Sequence, residues 1–177
     1  MSVFEEIQQR AAERGLRFLL IGGLAVIEHG YGRLTLDIDL LVARDDQQKW
    51  REILNGLGYQ LATASDNFQQ FQRSENTKWP LDLMLVSEDT FAGLMAAASP
   101  VMVEGARVLL VSLEHLIALK LHVLKQARLH RFLKDFQDVV ELVRINHLDL
   151  HSGPMRALFL RYGTPDLYEK LKRVVEK

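Results

Sequence analysis

R-F-L-L-I-G-G-L-A-V-I-E-H-G-Y-G-R-L-T-L-D-I-D-L-L-V, residues 17–42, is the stretch from which the rest of the chain can be read. Residues 18–21 are apolar and too few for a helix of their own, the pattern of a buried strand. The pair Gly22-Gly23 follows. It lets the backbone leave that strand steeply and lets a bulky ligand approach main-chain N–H groups. Residues 24–29 fit about two turns of helix, with Gly30 and Gly32 as stop signals. Residues 34–42 read as the next strand. Side chains alternate across a strand, so Asp37 and Asp39 share one face, roughly 6–7 Å apart along it, while Ile38 and Leu40 take the other. Two carboxylates inside an apolar run repel each other unless something positive sits between them. Oxygen-only ligands suit hard cations such as Mg²⁺ or Mn²⁺.

An Asp-x-Asp triplet alone is most often a solvated strand end. Here it follows Gly22-Gly23 after thirteen residues, with Arg33 and Thr35 just ahead of it (G-R-L-T-L-D-I-D). That arrangement resembles the signature of the nucleotidyltransferase superfamily that includes DNA polymerase β. In that superfamily a Gly-Gly or Gly-Ser pair starts a short helix, and Asp-x-Asp or Asp-x-Glu lies on the next strand. Arg33 and Thr35 bring the match closest to the AbiEii-type branch, bacterial proteins that include toxins of toxin–antitoxin pairs.

The chain has 177 residues, enough for a core that needs neither disulfide nor structural metal. It has no cysteine, which excludes disulfides and thiolate zinc sites and is compatible with a reducing, cytoplasmic setting. The formal net charge of −1 argues against bulk polybasic binding, so any RNA contact would need a local patch. The first ten residues lack the pattern of a signal peptide. The longest apolar stretch, residues 18–27, contains two glycines and is too short to span a bilayer, so no membrane partner is expected. No Gly-x-x-x-x-Gly-Lys loop, Gly-x-Ser-x-Gly elbow or His-Glu-x-x-His motif is present, which leaves P-loop, hydrolase and zinc-protease readings without support.

Elsewhere the chain alternates short strands and capped helices. Ser2 and Glu5 have capping-box spacing ahead of Phe4, Ile7 and Ala11. Asp45-Asp46 is placed to cap a helix with an apolar stripe at Trp50, Ile53, Leu54 and Leu57. Residues 59–63 and 68–73 read as two strands around a polar turn, and residues 79–86 as a third. That third strand carries Asp82 alone among apolar residues. Residues 88–98 read as a helix and 101–111 as a hairpin turning at Glu104-Gly105. From residue 113 onward only helices are expected: one carrying Lys120, one over 131–143, and two begun by Pro154 and Pro165. The reading is therefore α+β: a nucleotidyltransferase-type mixed sheet flanked by helices, with an α-helical C-terminal part. Residues 1–112 would form the core, and 113–177 would pack on it as one structural domain.

The resemblance implies a metal-dependent transfer of a nucleoside monophosphate from a nucleoside triphosphate such as ATP to an acceptor hydroxyl. Asp37, Asp39 and Asp82 would be the catalytic carboxylates and hold Mg²⁺ or Mn²⁺, with Asp82 on the acceptor side. Gly22 and Gly23 would present N–H groups to the triphosphate. Arg33, Thr35 and Lys120 would complete the nucleotide site. Lys120, Arg128, Lys134, Asp135 and Asp138 are similar to the helical motifs of the AbiEii-type branch. A helical lysine this apolar on its flanks needs a charge partner, which Asp135 and Asp138 could supply. The lysine is equally placed to reach phosphate, and is expected to point into the cleft facing Asp37 and Asp39. The AbiEii-type resemblance implies a tRNA or protein acceptor and a cognate antitoxin. Two other readings stand beside it: a catalytically silent, antitoxin-like binding partner, and a small-molecule, antibiotic-modifying transferase.

Overall fold

The structure is a computed structural model and describes residues 1–73, 79–125 and 129–176, without the side chains of residues 129–131. The chain divides into two compact units, Met1–Ala25 with Leu34–Ser112, and Val26–Arg33 with Leu113–Lys177.

The first unit is built on a seven-stranded mixed sheet. Its strands are β1 (Leu19–Leu20), β2 (Ile38–Ala43), β3 (Tyr59–Ser65), β4 (Phe68–Arg73), β5 (Leu81–Val86), β6 (Ser99–Val103) and β7 (Ala106–Leu110). They lie in the order β3-β4-β5-β2-β1-β7-β6. The β2–β5 and β1–β7 pairs are parallel and the others antiparallel. Helices α1 (Val3–Glu13), α3 (Gln47–Gly56) and α4 (Glu88–Ala96) flank the sheet. The capping box of α1 forms as its spacing predicts, with Ser2 Oγ accepting from the Glu5 N–H and Glu5 Oε2 accepting from the Ser2 N–H. Asp46 stands at the start of α3 but makes no capping bond; a 3₁₀ turn over Arg44–Asp46 leads in, and its carboxylate accepts from Lys49 instead. The Glu104-Gly105 turn has φ of 46° and 87°, the left-handed pair that a tight hairpin requires. Pro100 sits in β6, the last strand of the sheet, where a missing N–H disrupts no inner ladder.

One face of the sheet is covered by α3. Gln69 of β4 is fully buried, bonded to both Gln47 and Arg51 of that helix, and Phe71, Leu83 and Leu40 share its side of the sheet. The opposite parity carries Asp39, Asp82 and Gln70.

The expected strand over 34–42 is shorter in fact. Residues 31–37 have no regular structure, and Leu34 and Leu36 are 79% and 60% exposed. The Thr35 hydroxyl donates to Asp37 Oδ1 at 2.5 Å, a local side-chain bond of the kind that competes with strand pairing.

The second unit contains α5 (Leu113–Leu124), α6 (Leu129–Ile145), α7 (Gly153–Tyr162) and α8 (Pro165–Val175). Helix α5 packs against α6 and α7, and α8 against α6 and α7. Leu116, Ile117, Leu121 and Leu124 of α5 bury against Val139, Val140 and Val143 of α6 and Phe159 of α7, each 5% exposed or less. No helix among the described residues is long and apolar enough to cross a membrane.

Candidate functional site

Strand β1 ends at Leu20, and the chain turns at once into helix α2 (Gly22–Glu28). Gly22 makes that turn with φ of +65°. A Cβ at this position would lie 1.8 Å from Asp39 Oδ2, inside the carboxylate itself. Glycine is therefore required twice over: by the left-handed backbone and by the carboxylate that fills the space of its absent side chain. The Gly23 N–H donates to the same Oδ2 at 3.3 Å, and the Ile21 N–H donates to the Asp39 carbonyl at 3.1 Å. The glycine pair thus grips Asp39.

Asp39 and Asp82 are direct partners on the adjacent parallel strands β2 and β5. Their side chains leave the same face one strand spacing apart, about 4.8 Å. The row continues across the sheet: Asp82 is opposite Gln70 of β4, and Gln70 is opposite Thr63 of β3. Asp82 is buried, Asp39 and Gln70 are half-buried, and Thr63 is exposed. Asp37 lies just before β2, half-buried, with its carboxylate held by Thr35. The structure therefore brings Gly22, Gly23, Asp39 and Asp82 together directly, and gives Thr35 the task of orienting Asp37. Gln70 and Thr63 were not singled out by sequence reading. The alternation of glutamines at 70 and 72 was the available signal, but it does not say which face they take.

The donor set of Asp37, Asp39 and Asp82 is all carboxylate oxygen, which fits a hard divalent cation and not a soft one. Among the described residues, no three acidic or histidine side chains stand together as a ready-made metal site. Asp37 is turned to Thr35 and Asp39 to Gly23.

The remaining candidates lie in the second unit. Arg33 grips Asp138 with two bonds, Nε to Oδ1 at 2.7 Å and Nη2 to Oδ2 at 2.9 Å. Lys120 Nζ lies 2.8 Å from Asp135 Oδ1 and 2.7 Å from Asp138 Oδ2. Asp138 is 1% and Lys120 6% exposed. The pairing expected of Lys120 with Asp135 and Asp138 is present: two cations and two carboxylates balance in a buried network, the charge-assisted geometry that makes such burial tolerable. Lys134 is exposed on the same helix, and Arg128 lies outside the described residues.

A family model described as "uncharacterised nucleotidyltransferase" matches residues 2–160. No curated protein matches the chain. Among solved structures, it is similar to ANT(2″)-Ia in complex with adenylyl-2″-tobramycin, at 16% identity and a TM-score of 0.64, over 90% of this chain and 96% of that one. It is also similar to the lincosamide antibiotic adenylyltransferase LnuA bound to lincomycin, at 18% identity and 0.57, over 80% and 96%. An antigenic nucleotidyltransferase-like protein from Paracoccidioides brasiliensis matches at 15% identity and 0.58, over 96% and 90%. At these identities the likeness is one of fold.

Proposed function

The chain belongs to the uncharacterised nucleotidyltransferase family and is an enzyme, and we propose that Asp39 and Asp82 form the centre at which it moves a nucleoside monophosphate from a triphosphate to an acceptor hydroxyl. The observation that carries this reading is the register of Asp39 against Asp82 on parallel strands, beside a Gly-Gly turn that leaves room only for the Asp39 carboxylate. Asp37, Asp39 and Asp82 would hold Mg²⁺ or Mn²⁺. Such a cation, when bound, neutralises phosphate oxygens and acidifies a hydroxyl. The protein's own work is positioning and charge placement. The acceptor oxygen attacks the α-phosphorus, the bond from that phosphorus to the α–β bridging oxygen breaks, and pyrophosphate leaves. The hydroxyl proton goes to Asp82, the carboxylate on the side of Asp39 away from Gly22. Gly23 releases its hold on Asp39 and turns its N–H to the triphosphate. Thr35 supports the site by fixing Asp37.

Asp39→Asn keeps the shape and removes one charge. Transfer from radiolabelled ATP is expected to fall by at least about 10²–10³-fold, with the melting temperature unchanged or raised because the repulsion with its carboxylate neighbours is relieved. Retained transfer by a folded Asp39→Asn protein would show that Asp39 is not at the catalytic centre and overturn this assignment.

The AbiEii-type resemblance supports a tRNA or protein acceptor, within a cytoplasmic toxin–antitoxin or phage-defence pair. Fold similarity to two adenylyltransferases solved with tobramycin and lincomycin species supports a small-molecule acceptor. Labelling of a cell extract separates these by whether RNA, protein or a low-mass product carries the label.

A further inference from the structure

We infer that the β3–β4 hairpin face next to Asp82 is the acceptor subsite, and that it takes an uncharged, hydroxyl-rich molecule of sugar-like chemistry. The inference rests on the transfer reading above and names the substrate class of that site.

Direction comes first. Across the sheet the order is Gly22-Gly23, Asp39, Asp82, Gln70, Thr63. In phosphoryl transfer the attacking and leaving oxygens stand roughly in line. With the triphosphate at the glycine end, the attacking hydroxyl arrives from the far side of Asp82, over β4 and β3.

Chemistry comes second. The side of the hairpin that continues the aspartate row carries Gln60, Thr63, Ser65, Phe68, Gln70 and Gln72. None of these side chains is ionisable. All are exposed or half-buried. A β-bulge between Leu61 and Thr63 shifts the register and puts Thr63, not Ala62, opposite Gln70. The hairpin's cation, Arg73, is on the other parity, with its guanidinium 5.6 Å from the Tyr59 ring centroid. Its carboxylate, Asp66, is in the turn beyond the row. Three amides and two hydroxyls offer both donors and acceptors, which matches a polyol. Phe68, two residues from Gln70 on the same face, offers an apolar ring for the carbon face of a sugar. A polycation would be better served by added carboxylates here, and a polynucleotide by a basic stripe.

The test uses the full-length protein with Mg²⁺ and α-³²P-labelled ATP. Cell extract is first separated into uncharged low-mass, cation-exchange-retained, anion-exchange-retained and macromolecular fractions. Label is expected in the uncharged low-mass fraction. With that fraction, Gln70→Met is expected to raise the acceptor KM by about tenfold, the loss of one neutral hydrogen bond, while the KM for ATP and the melting temperature stay within twofold and 2–3 °C, roughly. Label in a charged or macromolecular fraction overturns the inference and leaves the transferase reading intact. So does an acceptor KM that Gln70→Met does not move, or an effect confined to the KM for ATP. Absence of label from every fraction fails the transferase reading itself, and this inference with it.

Discussion

Gly22 is the residue on which the proposed site turns. Its absent side chain is the space that Asp39 Oδ2 occupies, and its φ of +65° is one that a Cβ makes costly by about 1–2 kcal/mol. Gly22→Ala must therefore displace the Asp39 carboxylate or unwind the start of α2. The expected outcome is a loss of stability of about 2 kcal/mol or more by urea unfolding, together with loss of transfer. An alanine variant with wild-type stability would show that the turn relaxes freely, and that the glycine is not needed to seat Asp39.

Among the elements, α5 and α6 carry most of the buried charge in their unit. Lys120, Asp135, Asp138 and Arg33 compensate one another at 2.7–2.9 Å. Removing one member leaves a buried charge uncompensated, at a cost of about 3–5 kcal/mol. Asp138→Ala strips a two-bond partner from Arg33 and one carboxylate from Lys120, so it is expected to be the most destabilising single change in the network. Lys120→Met separates two roles. A stable variant with a much higher KM for ATP assigns the lysine to the substrate. A variant that unfolds in less urea with KM unchanged assigns it to the helix pair alone, and the nucleotide role expected of Lys120 is then withdrawn.

For the molecule as a whole, pH supplies a test of packing in the sheet-bearing unit. Burial raises the Tyr59 pKa above its ordinary value of 10.0, the Arg73 guanidinium opposes the rise, and Glu6 adds to it. The folded state thus holds the phenolic proton more tightly than the unfolded chain. This contribution to stability is fully present below pH 10 and is lost as pH rises through the raised folded value. Tyr59→Phe removes the ionisable group and the 3.3 Å bond to the Trp79 carbonyl. It is expected to cost about 1 kcal/mol at neutral pH and to flatten the decline in urea stability above pH 10. Parallel declines for the two proteins would show that Tyr59 is not the group responsible.

Local order in this chain was set by the sequence itself. The capping box at Ser2 and Glu5, the Glu104-Gly105 turn, the two proline-started helices and the strand–Gly-Gly–helix–strand unit each depend on contacts within a few residues. Periodicity and turn chemistry read those directly. Asp82 was legible as a carboxylate stranded in an apolar strand, and the resemblance supplied its partner. Tertiary structure alone decided the rest. Pairing across more than forty residues set Asp82 in register with Asp39, and a bulge that no local pattern announces aligned Thr63 with Gln70. Residues 34–37, four of the nine expected in the second strand, are irregular, with a local Thr35–Asp37 bond in place of strand pairing. Residues 26–33 joined the C-terminal helices, where Arg33 meets Asp138 from more than a hundred residues away. The physical reason is common to the three long-range cases: register and charge pairing are set by which distant surfaces bury together, and the free energy of that burial is not written in any single window of sequence.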